Sequence, residues 1–279
     1  MTSVIAETIE ALKQKSPLLF SEVRIDDLVL GIFFTGVKLS TGHAGVAFTP
    51  AGEIPEAVCC PTTAARMPQA GKIDGQSVSA MIGYSLEANV LKSAIGVAIL
   101  NALSQPIFDS PTGTGYEIIR GVDGFDLLEI QPRETVSMVG AFGPYIRRLR
   151  MMGNPFFIIE KNPGALRAEE MKYFRPGSQM KAALEESDVV IMTGTAIVNH
   201  TIDPLLASIT GKKRTAIIGP TASMIPDAFF KRGVQVMAGI RILDPDSMIK
   251  ILKQGGSGYH LLQECSEKIA FRKIGGEKN

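Results

Sequence analysis

The segment VGAFGPYIRRLR, residues 139–150, sets Gly140 and Gly143 three positions apart between an apolar run and a basic one. A glycine turn at such a junction presents backbone N–H groups at the start of a helix, a place that suits anionic or hydroxylated ligands. Pro144 stands where a first helical residue would, and its missing N–H costs nothing there. Glu160 ends the next apolar run 20 positions after Gly140, where a ribose-binding carboxylate follows a dinucleotide turn. The glycine triplet of GxGxxG is incomplete, however. The spacing admits a ligand with a ribose or another vicinal diol, S-adenosylmethionine included, and does not support a complete NAD site.

Other turns share this character. Thr193-Gly194-Thr195 closes a second apolar run, with Asn199 and Thr201 opening the helical pattern after it. Gly219-Pro220-Thr221-Ala222-Ser223 follows a third run, and Gly239-Ile240-Arg241, with Asp244 shortly beyond, follows a fourth. A parallel sheet would bring these ends to one edge as a ring of N–H groups, hydroxyls and a carboxylate. Residues 40–50, STGHAGVAFTP, form a glycine- and hydroxyl-rich loop centred on His43. His43 and Glu160 are the candidate acid/base groups, since imidazole titrates near neutrality and a carboxylate can relay protons. Thr35, in an apolar strand, and Asn101, on an apolar helix, are polar residues that need partners, in a cleft or inside the core.

The types and spacing also exclude chemistry. His43, His200 and His260 are scattered, Cys59 and Cys60 are adjacent, and Cys265 stands alone, so no ligand set of metal-site spacing is present. Cys59 and Cys60 are expected to pack as small apolar residues, and His200 to open a helix. No GxSxG, SxxK, HExxH or phosphate-binding P-loop occurs. The residues identify no cofactor.

The elements that must position these groups fall into two patterns. Residues 4–15 carry the helical period, with Val4, Ile5, Thr8, Ile9 and Leu12 on one face. Residues 22–40 and 44–50 read as an antiparallel meander, and residues 76–103 as two helices broken near Gly83. The second of these helices is apolar on nearly every face and must be buried. Residues 104–116, with two prolines and two glycines, read as a linker. Beyond it, strands at 134–140, 155–160, 188–194, 214–219 and 234–239 alternate with helical patterns at 145–152, 178–186, 200–209 and 222–232. That alternation predicts an α/β fold with a doubly wound parallel sheet, Rossmann-like, whose ligands sit beyond the C-terminal strand ends. The expected division is a small α+β domain over residues 1–110 and the Rossmann-like domain over 111–279.

With 279 residues, 45% of them hydrophobic, the chain can build two cores. The net charge of +1 gives no electrostatic reason for a nucleic-acid partner. The N-terminal helical pattern contains acids and lacks a signal-peptide core, and the most apolar stretch, residues 94–103, is too short to span a bilayer. A cytoplasmic protein without membrane contact follows, and its buried apolar helices make a homo-oligomer an expectation.

Taken in order, STGHAGVAFTP, SAIGVAILNALS, VGAFGPYI, TGTAIVNHTID, IIGPTASMIPDAFFKRGVQVMAG and ILDPDSMIKILKQGGSG resemble the putative heavy-metal chelation family, over about residues 5–262. The resemblance implies a domain similar to the N-terminal domain of enolase followed by a Rossmann-like domain, with a site in the cleft between them. It would place Thr35, His43, Phe48 and Asn101 on one wall, and Gly140, Gly143, Glu160, Thr193, Gly194, Asn199 and Thr201 on the other. No carboxylate trio for magnesium is visible, so enolase activity is not implied. The chain is therefore expected to bind, and to act on, a small polar metabolite linked to making or handling a metal-chelating compound. Two alternatives stand beside that reading: a non-catalytic sensor of metal homeostasis, and a nucleotide- or S-adenosylmethionine-dependent enzyme.

Overall fold

The structure is a computed structural model that describes residues 2–53, 69–109 and 115–274; Cys59 and Cys60 lie outside them. The first helix spans Val4–Lys15, and the Ser3 side chain accepts the Ala6 N–H at its start. Its buried residues are Val4, Ile5, Thr8, Ile9 and Leu12, the apolar stripe of the sequence pattern. Three strands follow as an antiparallel meander, β1 (Ile25–Leu30), β2 (Phe34–Leu39) and β3 (Ala44–Phe48). A helix over Val90–Asp109 lies against β3. Contact is close enough that a methyl at Gly45 would overlap the backbone of Ala98 and Ala102. By length and composition this helix could cross a membrane, yet most of it is buried inside the protein.

The expected linker begins too early. Helix Val90–Asp109 runs straight through Ser104, Gln105 and Pro106. The polar residues that imitate a loop are buried and bonded: Ser104 Oγ donates to Leu100 O at 2.8 Å and accepts the Ile225 N–H at 3.0 Å, while Gln105 Nε2 donates to Ala44 O at 2.6 Å. Tertiary partners override local propensity here. Tyr116 already belongs to a strand, β4 (Tyr116–Arg120).

The second sheet has eight strands in the order β4-β11-β10-β9-β8-β5-β6-β7. They are β5 (Val136–Val139), β6 (Phe156–Ile159), β7 (Phe174–Arg175), β8 (Val189–Thr193), β9 (Arg214–Ile218), β10 (Val236–Ile242) and β11 (Ser266–Lys273). From β7 to β10 all neighbours are parallel. β11 runs antiparallel to both β10 and β4, an edge extension that the alternation pattern did not show. The parallel part has Rossmann order: the chain builds β5, β6 and β7 outward, then returns to lay β8, β9 and β10 on the other side of β5. The order reverses between β5 and β8.

One expected turn is not a turn. Gly239, Ile240 and Arg241 lie inside β10, paired with β11. Gly239 is needed because Ser223 Oγ occupies the place a Cβ would take; the same hydroxyl accepts the Ile240 N–H at 2.9 Å. Asp244, beyond the strand, caps the next helix, its Oδ1 accepting the Ser247 N–H at 3.0 Å. His200 likewise precedes its helix, in a left-handed turn at φ 56°, with Nε2 2.8 Å from Glu87 O.

The two sheets are not separate bodies joined by a thread. A single apolar cluster includes Ile5, Val97 and Leu100 from the first part, and Ile217, Met224 and Phe229 from the second.

Candidate functional site

At the reversal of strand order lies a cavity of about 630 Å³. One wall comes from the ends of β5 and β6, with Gly140, Ala141, Glu160 and Asn162; the facing wall comes from the end of β8, with Thr193, Thr195, Asn199 and Thr201. Phe48, Pro50 and Gly52, leaving β3, cover it from the other part of the chain.

Each wall is shaped by short-range bonds. Gly140 adopts φ 97°, a left-handed conformation that favours glycine, and its N–H donates to Ile159 O at 2.9 Å. A Cβ there would stand 2.8 Å from Thr193 Cγ2, so this glycine also lets β5 and β8 approach. The Glu160 carboxylate accepts two backbone N–H groups, from Ala141 at 3.0 Å and from Asn162 at 3.1 Å. It holds the glycine turn shut while keeping lone pairs to spare, since a carboxylate offers about four acceptor sites. Across the cavity, Asn199 Oδ1 accepts the Thr201 hydroxyl at 2.7 Å, and the Thr193 hydroxyl donates to Thr195 Oγ1 at 3.1 Å. Hydroxyls and an amide therefore face the space opposite a carboxylate.

The expected wall residues separate into three groups. Phe48, Gly140, Glu160, Thr193, Asn199 and Thr201 line the cavity together. Thr35, Asn101 and Gly194 stand behind it. Thr35 is fully buried, its hydroxyl 3.0 Å from that of Thr49. Asn101 is buried too; its Nδ2 donates to Val46 O at 2.7 Å and Thr221 O at 3.0 Å, clamping β3 to the turn after β9. Phe48 N–H donates to Thr221 Oγ1 at 2.9 Å, so the same turn is held twice. A Cβ at Gly194 would crowd Thr221 and Ala222. Gly143 and His43 belong elsewhere. Gly143 faces a neighbouring cavity on the outer side of its helix.

His43 does not fold over the cleft. It sits in the β2–β3 turn with Nδ1 3.0 Å from Thr41 Oγ1 and Nε2 3.8 Å from Asp109 Oδ2, at the far end of helix Val90–Asp109. Burial holds its pKa below the ordinary imidazole value, with the charge of Arg241 adding to that and Asp109 opposing it. Of the two candidate acid/base groups, Glu160 lines the cavity and His43 does not. Within the glycine- and hydroxyl-rich loop, Gly42, at φ 78°, turns the hairpin.

A second cavity, about 400 Å³ and mostly apolar, lies beside the end of β9 and the middle of β10, lined by Phe34, Phe142, Tyr145 and Tyr259 among others. Phe34 and Phe48 are register partners on β2 and β3, ring centroids 6.4 Å apart and edge-on, so that hairpin end gives one ring to each cavity. The polar part of the second wall is Asp123, which accepts from Tyr145 OH at 2.5 Å and Lys268 Nζ at 2.7 Å. Burial alone would raise the Asp123 pKa; these bonds and the Phe125 N–H outweigh it and hold it low. Burial, reinforced by Asp123, pushes the Tyr145 phenol up. None of these residues had a legible signal in the sequence except Phe142, inside the glycine turn.

Among the described residues, no three His, Cys, Asp or Glu side chains are grouped to hold a metal ion.

Two family models match, over residues 10–104 and 123–271. The chain belongs to the family described as putative heavy-metal chelation. An uncharacterized protein of Methanocaldococcus jannaschii is 26% identical over 185 residues, 66% of this chain and 67% of that one. A protein of unknown function from the same family in Pyrococcus horikoshii superposes with TM-score 0.73 at 21% identity, over 94% of this chain and 98% of its own. Another, from Desulfitobacterium hafniense, gives TM-score 0.68 at 16% identity, over 95% and 99%. At these identities the two crystal structures share the fold with this heavy-metal chelation family member, from one end to the other.

Proposed function

We propose that the protein binds a small polar, hydroxylated metabolite in the cleft where the strand order reverses, and acts on it in the making or handling of a metal-chelating compound. The observation that carries this is the cavity at the switch point, walled by both parts of the chain, with the Glu160 carboxylate facing the Thr193, Asn199 and Thr201 side chains. Such an arrangement suits a ligand with several hydroxyl or amino groups, each exchanging water for a fixed donor or acceptor. Glu160 would accept from a ligand hydroxyl with its remaining lone pairs, while Asn199 Nδ2 and the Thr195 hydroxyl, which Thr193 orients, would supply donors across the cavity. Metal enters this reading through the organic ligand, and the family description supports it at that level only. The reading takes the protein to work in the cytoplasm.

Native mass spectrometry of the purified protein, followed by denaturing extraction, tests the proposal. A stoichiometric small polar compound lost from Asn199→Ala and Thr193→Val is the expected result. A transition metal held stoichiometrically by protein side chains, with no organic compound, would overturn it.

A further inference from the structure

Helix Gly143–Met152 carries the run Arg147, Arg148, Arg150. Arg148 is accounted for: it pairs with Asp126 at 2.5 Å and lies over the Phe125 ring, 4.2 Å from its centroid. Arg147 and Arg150 point elsewhere. With Arg167, from the segment after β6, they line a cavity of about 360 Å³ whose wall includes a single carboxylate, Glu170. Glu170 is buried, and its Oε2 accepts the Arg167 backbone N–H at 2.9 Å. Among the described residues, no carboxylate lies within 4.0 Å of the guanidinium of Arg147, Arg150 or Arg167. By contrast Arg120, Arg214, Arg232, Arg241 and Arg272 all sit in ion pairs.

Three like charges around one concavity repel each other, and a bound anion would relieve what solvent and the single Glu170 carboxylate leave. Guanidinium groups present planar pairs of N–H donors that match phosphate and carboxylate oxygens. Three of them suit a phosphoryl group, which offers three non-bridging oxygens, better than a carboxylate, which offers two. Ala141 and Ala165 line both this cavity and the switch-point cleft. The arginine pocket and the cleft therefore share a wall at the glycine turn.

We infer that Arg147, Arg150 and Arg167 form an anion subsite for a phosphoryl group borne by the cleft ligand. The inference rests on the cleft proposal for the ligand's body, but the subsite itself is testable alone. It narrows the substrate class from polar metabolites to phosphorylated ones. The chain's net charge of +1 gives no wider basic field, so a nucleic-acid backbone is the less favoured source of the phosphate.

The probe is inorganic pyrophosphate, titrated calorimetrically into the full chain at low and at physiological salt. The expected result is one site per chain, weakened about tenfold by each of Arg147→Gln, Arg150→Gln and Arg167→Gln, and abolished in the triple variant. Arg150→Lys should lose less, since it keeps the charge and only surrenders the fork. All three positions are exposed, so the variants should keep the fold, and circular dichroism checks that they do. Asn199→Ala and Thr193→Val should bind pyrophosphate as the unaltered chain does. The inference falls if the unaltered chain binds no pyrophosphate, if the triple variant binds it undiminished, or if the cleft variants lose it. It falls too if random oligonucleotides compete with an affinity that grows with their length. Pyrophosphate binding without any metabolite in the cleft would keep the subsite and sink the cleft proposal.

Discussion

The Glu160 carboxylate reaches back to the Ala141 backbone, accepting its N–H at 3.0 Å across the first βα turn of the parallel sheet. In the dinucleotide pattern, a carboxylate at this position binds ribose. Here it also closes the turn that would cradle a pyrophosphate, and one N–H of that turn is spent on it. This bond explains why an incomplete glycine fingerprint and a well-placed acid occur together: the acid replaces part of what the missing glycine and the ligand would otherwise do.

A first prediction follows for Glu160 itself. Glu160→Ala removes two charge-assisted acceptors from backbone N–H groups and should cost about 1–2 kcal/mol of stability. Glu160→Gln keeps one acceptor oxygen and should cost roughly half as much. Urea denaturation with an unchanged m-value checks this; equal stability of all three proteins would show that water replaces the carboxylate without loss.

Gly140 and Thr193 test the contact between β5 and β8. Gly140→Ala places a methyl 2.8 Å from Thr193 Cγ2 at a backbone φ of 97°, and should cost roughly 2 kcal/mol or more. Thr193→Ser removes that γ-methyl and retains the hydroxyl. In the double variant the steric part should be recovered and the backbone part should remain, a coupling that a double-mutant cycle measures. Additive costs would show that the two residues do not constrain each other.

Most of the parallel sheet was legible because short apolar runs of β5, β6, β8 and β9 are bounded by glycines and separated by helical periods. The first helix was legible to the residue, since a surface helix must repeat its apolar face. Three things escaped for physical reasons. Ser104, Gln105 and Pro106 look like a linker because their partners, Leu100, Ile225 and Ala44, are named by no local pattern. β11 pairs antiparallel on both sides, between β10 and the edge strand β4, and alternates too weakly to stand out. Within the site, residue type located the strand ends but not the direction of side chains. Thr35 and Asn101 were read as needing partners. The Thr35 hydroxyl and Asn101 Nδ2 found them inside the core, while the buried Asn101 Oδ1 has none among the described residues. His43 sits in a turn of the right composition at the wrong end of the central helix.

Asn101 should be the most sensitive polar position. Its two amide bonds join β3 to the turn after β9, and Asn101→Ala leaves the Val46 and Thr221 carbonyls facing a hole, at a cost of about 2–4 kcal/mol. Asn101→Asp is worse at neutral pH, because a buried carboxylate would face two carbonyl oxygens. Burial raises the folded-state pKa of such an acid above its unfolded value, so the neutral form is favoured on folding. The Asp variant should therefore regain stability as pH falls toward the acid range, opposite to ordinary acid destabilisation. Chemical denaturation from pH 7 to pH 5 distinguishes the two signs.

His43 gives the pH prediction of opposite sense. Its folded pKa is lowered, first by burial and then by Arg241, with Asp109 opposing. At pH values below the unfolded imidazole value of about 6.5, the unfolded chain binds a proton that the folded chain resists. Stability attributable to His43 is therefore complete above that value and declines as pH falls through the window beneath it. Asp109→Asn removes the one group that supports the charged form, so the imidazole should titrate lower still, whereas Arg241→Gln should let it rise. Imidazole carbon–proton correlations followed by NMR report this site directly. Titration of His43 at or above about 6.5 in the unaltered protein would show that the Asp109 carboxylate, 3.8 Å from Nε2, outweighs burial after all.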